Sequence, residues 1–497
     1  MKIKLKFICL VLVIMALLFF VACGSDESGG GDERVIETDV SDIPAALPDD
    51  SEFDVNIDPR LLVYDNLPER NFDGADFRIL YPAWANYLFG LYFSEELETC
   101  LLGGAIFMRQ LNVEDRFDVN ITPIRIPSIF DVYSTVARTV RAGDDAFDLV
   151  LTHCIAGVAP MVTSGIVADW NSVPYIDFSK PWWNQRIHDE LSIHGVLLTG
   201  VSDFIILDPN VMYFNKHMII DYDLPCPYEL VRSGRWTWDA LYEMAAVVTK
   251  DLNGDGIMDE NDQFGFVTMV DWMMESAIHA YGLSITRLDE ATGERVLDLH
   301  NPLFFELLDT LNSLMFGPNT FIASWDANTA QSPIPMCSGR VLFHMEPLWA
   351  AITYRASEVD FGILPIPKRA GMDEYLSLSW NGFMMIPITA DLDKVGIISE
   401  ALAAQSHRYV IPAYFDILLT YQLMRDEESR EMLDIIFAGA TYCFALNFGN
   451  WETLSMPITR LQQSRIRDAV SFIERHTPPM ERQLRNIFEA VERNYLN

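Results

Sequence analysis

Between Asp73 and His153 short apolar runs alternate with helix-length stretches, and this alternation restricts the fold more than any other feature of the chain. "DFRILYP" (76–82), "VNITPI" (119–124) and "FDLVLTH" (147–153) are short and apolar, as strands are. Residues 96–117 and 129–143 between them read as helices. Strands joined through a helix cannot close as hairpins, so they become parallel neighbours in a layered α/β sheet. At 497 residues the chain is too long for one ordinary domain and implies two to four domains or two large lobes. Farther on, "TWDALYEMAAVVTK" (237–250) has the period of an amphipathic helix. Thr237 or Asp239 stands near its cap, and Leu241, Met244, Ala245 and Val248 lie on one face. Residues 301–316 and 426–439 also read as helices. There is no internal repeat.

The first residues read as an address rather than a fold. Lys2, Lys4 and Lys6 precede an apolar run from Phe7 to Ala22, too short to span a bilayer comfortably and typical of an export signal. The junction "FVAC" (20–23) resembles the lipobox of bacterial lipoproteins, with Phe20 where Leu is usual. That resemblance implies a signal peptide over 1–22 and acylation of Cys23; two acyl chains at about 0.8 kcal/mol per buried CH₂ hold a protein stably on a membrane. A plain secretory signal with an incidental cysteine is the alternative. From Gly24 to Arg60 there are twelve acidic and two basic residues, so 23–65 is expected to be a flexible acidic tether.

The formal net charge of −36 argues against a nucleic-acid partner, whose phosphates the chain would repel. Loss of the leader with its three lysines would make it more negative still. Beyond Cys9 and Cys23 the cysteines are Cys100, Cys154, Cys226, Cys337 and Cys443, scattered and without CxxC spacing. They make neither a disulfide framework nor a zinc site. No HExxH, GxSxG or Walker loop occurs.

"KDLNGDGIMDENDQFGF" (250–266) holds five acidic residues. As a twelve-position loop it places Asp251, Asn253, Asp255, the Ile257 carbonyl, Asp259 and Asp262 at positions 1, 3, 5, 7, 9 and 12, with Gly256 at the sharp turn. Alternating short oxygen side chains suit a hard cation with six to eight oxygen ligands, so structural Ca²⁺ is the expected cofactor. Asp rather than Glu at position 12 would weaken the site. An acidic glycine turn satisfied by water is the other reading.

The order of elements around that loop resembles the family 1 extracellular solute-binding proteins of bacterial ABC importers. The resemblance rests on "FNK" (214–216), "WTWD" (236–239), "FDLV" (147–150), "PWW" (181–183), "GRVLFHMEPLW" (339–349), "FGILPIPK" (361–368) and "RDEESREMLDIIF" (425–437), all in the expected order. It covers about residues 65–497. It implies a type II periplasmic-binding-protein-like fold: one lobe from 66–208 and 384–440, the other from 209–383 and 441–497, and a ligand cleft between them. Crossover strands would run through Leu207–Phe214, near Trp380–Pro387, and after the 426–439 helix.

The implied partners are a sugar, oligosaccharide or other small polar solute and an ABC permease. The receptor is expected to be monomeric and lipid-anchored on the extracellular face of the cell membrane. Sugars present apolar C–H faces and rings of hydroxyls, which aromatic platforms and polar side chains match. The candidates are Trp84, Tyr87, His153, Asp208, Asn210, Trp272, Glu346, Trp349 and Trp380, with Trp349 foremost. Any one of these tryptophans could equally be packed in a core, and Trp182 and Trp183 are the most structural in character. The competing class is a secreted glycoside hydrolase using paired carboxylates. The receptor reading makes the protein a non-enzyme.

Overall fold

A computed structural model describes residues 58–83, 92–94, 101–269, 272–289, 291–323, 336–354, 357–420, 427–449, 457–463 and 468–496. In chain order the strands are β1 (Ala75–Pro82), β2 (Val119–Ile126), β3 (Leu149–Leu151), β4 (Asn210–Asn215), β5 (Phe264–Met269), β6 (Thr286–Leu288), β7 (Arg295–Leu297), β8 (Thr320–Ala323), β9 (Val341–Pro347), β10 (Phe361–Pro365), β11 (Ser377–Leu378), β12 (Met384–Met385) and β13 (Ala440–Thr441). They form two principal sheets. The first has the order β12-β3-β1-β2, with β1 parallel to both neighbours and β12 antiparallel to β3. The second has the order β10-β4-β9-β5-β8, with β4 antiparallel to β10 and β9, and β5 parallel to β9 and β8.

The period-2 pattern of the first sheet explains its burial. Phe77, Ile79 and Tyr81 of β1 enter one apolar cluster while Leu80 enters the other, and Leu149 and Leu151 are split from Val150 in the same way. A sheet buried on both faces is what helix crossovers produce. The helices fall where the sequence placed them, at Leu101–Phe117 and Val132–Ala142. The second of these is preceded by a short 3₁₀ turn, Ile129–Asp131, and β3 is shorter than its apolar run. In the helix Trp238–Val248 the Thr237 hydroxyl caps the Ala240 N–H, and Leu241, Met244, Ala245 and Val248 are all buried.

Two placements differ from the sequence reading. The tether does not extend to residue 65. Asp65 is buried and ion-paired with Arg116 at 2.6 Å, Tyr64 O accepts from Lys180 Nζ, and Val63 O accepts from Arg408. Acidic composition suggested a solvated segment, but residues 58–65 are part of the folded body because these three cations hold them. The helix Glu427–Ala438, assigned to the first lobe, lies against β10 of the second sheet. Its buried Met432, Leu433 and Ile436 share the cluster that covers that sheet.

Where the sheets meet, three chain passages run side by side. Pro209 bridges Ser379 in antiparallel fashion, and β11 pairs in parallel with β13. Ser379 N also donates to Thr441 O at 2.8 Å. These are the three crossovers the sequence resemblance implied.

Trp182 and Trp183 are core residues. Their indole N–H groups donate to the two oxygens of one buried carboxylate, Glu400, at 2.9 and 2.8 Å. Glu400→Ala orphans two buried donors. It is expected to lower unfolding free energy by about 2–6 kcal/mol, at about 1–3 kcal/mol per abandoned group, as read by urea denaturation.

Candidate functional site

The turn after β9 is fixed by an unusual number of hydrogen bonds. Asp208, on the first crossover, accepts Trp349 N at 2.9 Å, and Pro209 O accepts Leu348 N at 3.0 Å. From β4, Tyr213 Oη lies 3.0 Å from Pro347 O and 2.9 Å from Leu348 O, and accepts Ala351 N at 2.9 Å. The backbone of Trp349 is thus held by the crossover strand, while its side chain is only partly buried. A partly exposed indole on a backbone held by these hydrogen bonds is a pre-organised platform.

Glu346 supports the same turn. His344 and Glu346 are two residues apart on β9 and share a face, and Tyr354 comes over them from the helix Ala350–Tyr354. Tyr354 Oη donates to Glu346 Oε2 at 2.8 Å and lies 3.2 Å from His344 Nδ1, while His344 Nε2 is 3.1 Å from Glu346 Oε1. Burial pushes the Glu346 carboxyl up to about 7 and the His344 imidazole down to about 3. The structure therefore turns Glu346 towards its own protein neighbours.

Asp208 has a similar environment. Burial raises it to about 7 against the lowering effect of the Trp349 and Leu348 N–H groups. Its own N–H donates to Ser379 Oγ at 2.9 Å, and its carbonyl accepts Trp380 N at 3.3 Å. The second crossover is in turn locked to the loop after β3. Thr152 N donates to Phe383 O, and Cys154 Sγ donates to Trp380 O at 3.3 Å. A Cβ on Gly382 would stand 1.4 Å from Thr152 O, so only glycine permits this approach. In that loop His153 Nδ1 accepts Ile155 N at 3.2 Å, and burial holds the imidazole near 3, hence neutral.

Of the nine side chains named from sequence, Asp208, Asn210, His153, Glu346, Trp349 and Trp380 come together at this junction. Trp272 begins the helix Trp272–Ala280. Trp84 and Tyr87 lie outside the described residues. The sequence reading missed Tyr213 and Tyr354, which hold the turn. It also missed Asn381 and Asn447; Asn447 Nδ2 donates to Cys154 O at 3.0 Å. Asn381 sits within the Trp380–Pro387 stretch already marked as a crossover, which was the available signal.

The acidic loop lies away from this junction. Lys250 and Gln263 bridge its ends. Asp251 accepts Gly254 N and Gly256 N, Asp255 accepts Ile257 N, and Asp259 accepts Asn261 N. Buried Asp262 accepts Leu252 N and Asp259 N, both at 2.9 Å, and these bonds lower its pKa. Among the described residues, no group of three or more His, Cys, Asp or Glu side chains is gathered as a metal site. The oxygen donors are the right type for calcium, but in this arrangement backbone N–H groups engage them.

No family model matches the chain, and no curated protein matches it. Solved structures do. The GacH receptor of Streptomyces glaucescens, solved unliganded and with acarbose, superposes with TM-score 0.52 at 12% identity, covering 85% of this chain and 99% of that one. A sugar transporter protein of Rhizobium etli in an open conformation gives 0.54 at 15%, covering 84% and 99%. The maltose-binding protein MalE of Listeria monocytogenes, in complex with maltose, gives 0.53 at 14%, covering 85% and 99%. The chain has the two-lobed fold of periplasmic solute-binding proteins. These neighbours carry the names of a receptor, a sugar transporter and a maltose-binding protein. Among the described residues no helix is long and apolar enough to cross a membrane.

The raised acidity constant of Asp208 has a definite consequence for stability. Between its unfolded value near 3.8 and its folded value of about 7 the native state holds the extra proton. The residue's contribution therefore falls as pH rises through that window. Asp208→Asn, which imitates the protonated form, is expected to gain melting temperature relative to wild type from pH 4 to pH 7 and to level off above. A pH-independent difference would contradict the assignment.

Proposed function

We propose that the protein is an extracellular receptor that captures a sugar or oligosaccharide between its lobes and delivers it to an ABC permease. The observation that carries this reading is the turn bearing Trp349, held by crossover residues Asp208 and Pro209 where the sheets meet. The neighbours sharing this fold include proteins solved with acarbose and with maltose, which supports a carbohydrate ligand. Both junction carboxylates are committed to internal hydrogen bonds. That favours holding a ligand over transforming it. Anchorage through an acylated Cys23, after removal of 1–22, would keep the receptor on the outer face of the membrane beside its permease. An open form binds solute on one lobe, contacts to the other exist only when closed, and ligand thereby shifts the population towards closure.

A thermal-shift and calorimetry screen with malto- and manno-oligosaccharides tests this directly. A bound sugar at one hundred times its Kd should add about 2.7 kcal/mol of apparent stability. Trp349→Ala should weaken that binding by about 10- to 100-fold, the loss of roughly 1.4–3 kcal/mol of stacking, without lowering the melting temperature of the free protein. Absence of binding across the panel would defeat the receptor reading.

The loop 251–262 is proposed to hold Ca²⁺ as a structural brace through Asp251, Asn253, Asp255, the Ile257 carbonyl, Asp259 and Asp262. The spacing of its oxygen donors supports this. Calcium should then raise the melting temperature and chelator lower it, with the effect abolished in Asp251→Ala. An unmoved melting temperature would mean that the backbone N–H groups complete the loop by themselves.

A further inference from the structure

Three asparagines occupy the crossover region, one on or just beyond each passage. Asn210 opens β4 on the first, Asn381 lies on the second, and Asn447 stands in the helix Phe444–Phe448 directly after the third. All three are buried, at 0%, 1% and 2% exposure, yet each has amide capacity with no protein partner. The Oδ1 of Asn210 and of Asn447 accepts no hydrogen bond, and neither Oδ1 nor Nδ2 of Asn381 makes one. The remaining amide groups are anchored: Asn210 Nδ2 donates to Ser276 Oγ at 2.7 Å and Asn447 Nδ2 to Cys154 O at 3.0 Å. Buried amides are costly to leave unpaired, and a junction that keeps three of them is organised around a hydrogen-bonding guest.

The charges nearby restrict that guest. Asp208 and Glu346 flank the turn that carries Trp349, and among the described residues neither is paired with a lysine or arginine. The imidazoles at the junction, His153 and His344, are kept neutral by burial. An anionic guest would therefore find no cationic partner among these groups, only two buried acids and two neutral imidazoles.

Resting on the receptor reading above, we infer that the amides of Asn210, Asn381 and Asn447 hydrogen-bond the hydroxyls of an uncharged glycan, and that a glycan bearing a carboxylate is refused. The amide is suited to this, since its oxygen accepts from a hydroxyl while its N–H₂ donates to one, and neither carries charge. Refusal of the acidic analogue follows from a buried carboxylate left without a cationic partner rather than from size.

The test is calorimetric titration of the full mature protein with the tightest neutral oligosaccharide found among maltose, maltotriose, mannobiose and mannotriose. A uronate disaccharide is run in parallel. The neutral sugar should bind wild type at least 100-fold more tightly than the uronate. Asn381→Ala should weaken it tenfold or more while leaving the melting temperature of the free protein within a degree or two; Asn447→Ala should weaken it likewise, with some loss of melting temperature from the abandoned Cys154 carbonyl. Variants that lose melting temperature but keep wild-type affinity would show that the amides serve the fold alone, and would overturn the inference. Equal affinity for the uronate overturns the charge argument on wild-type protein, with no variant needed. If a neutral sugar binds and neither asparagine matters, this inference fails while the receptor reading stands; if no sugar binds, both fail.

Discussion

The hydrogen bond from Trp349 N to the Asp208 carboxylate joins the two parts of the protein that matter most. Asp208 belongs to a crossover, and Trp349 to the turn beyond the central strand of the second sheet. Asp208 is also bonded through its own backbone to Ser379 and Trp380 on the second crossover, and Ser379 reaches Thr441 on the third. One residue therefore ties all three passages, directly or through a neighbour, to the best-placed aromatic platform. The carboxylate is deeply buried, so its bonds are strong and its loss would be expensive.

This arrangement is compatible with the proposed closure of the lobes. The sheets are each complete, and the connections between them are short β bridges rather than a shared sheet. Rotation of one lobe on the other requires small changes in a few crossover residues, the usual basis of hinge motion. The platform is fixed by the same residues, so the proposed closure would not require it to reorganise.

Much of the fold was legible because it follows from periodicity. The β1–β3 alternation, the cap at Thr237 and the buried face of 238–248 all depend on local pattern, and the structure reproduces them. The packing of 58–65 was not legible. An acidic composition reads as solvated, and only the fold brings Arg116, Lys180 and Arg408 to that segment. Position on a crossover picked out Asp208 and Asn210, and the family resemblance of the turn at the end of the 339–349 stretch picked out Trp349. Neither could reveal that Glu346 faces Tyr354 and His344, because a side chain's partners on a neighbouring element are not encoded in spacing. The acidic loop shows the same limit. Its donor spacing suits a cation, but the hydrogen bonds that its carboxylates make to their own backbone appear only in three dimensions.

The central claim is that ligand closes two lobes about the crossovers that hold Trp349. Small-angle X-ray scattering of the mature protein, with and without a sugar shown independently to bind, measures this most directly. The account predicts a smaller radius of gyration and a shorter maximum dimension on saturation, and a return to the free values when the sugar is removed. A scattering profile unchanged by saturating ligand would contradict it.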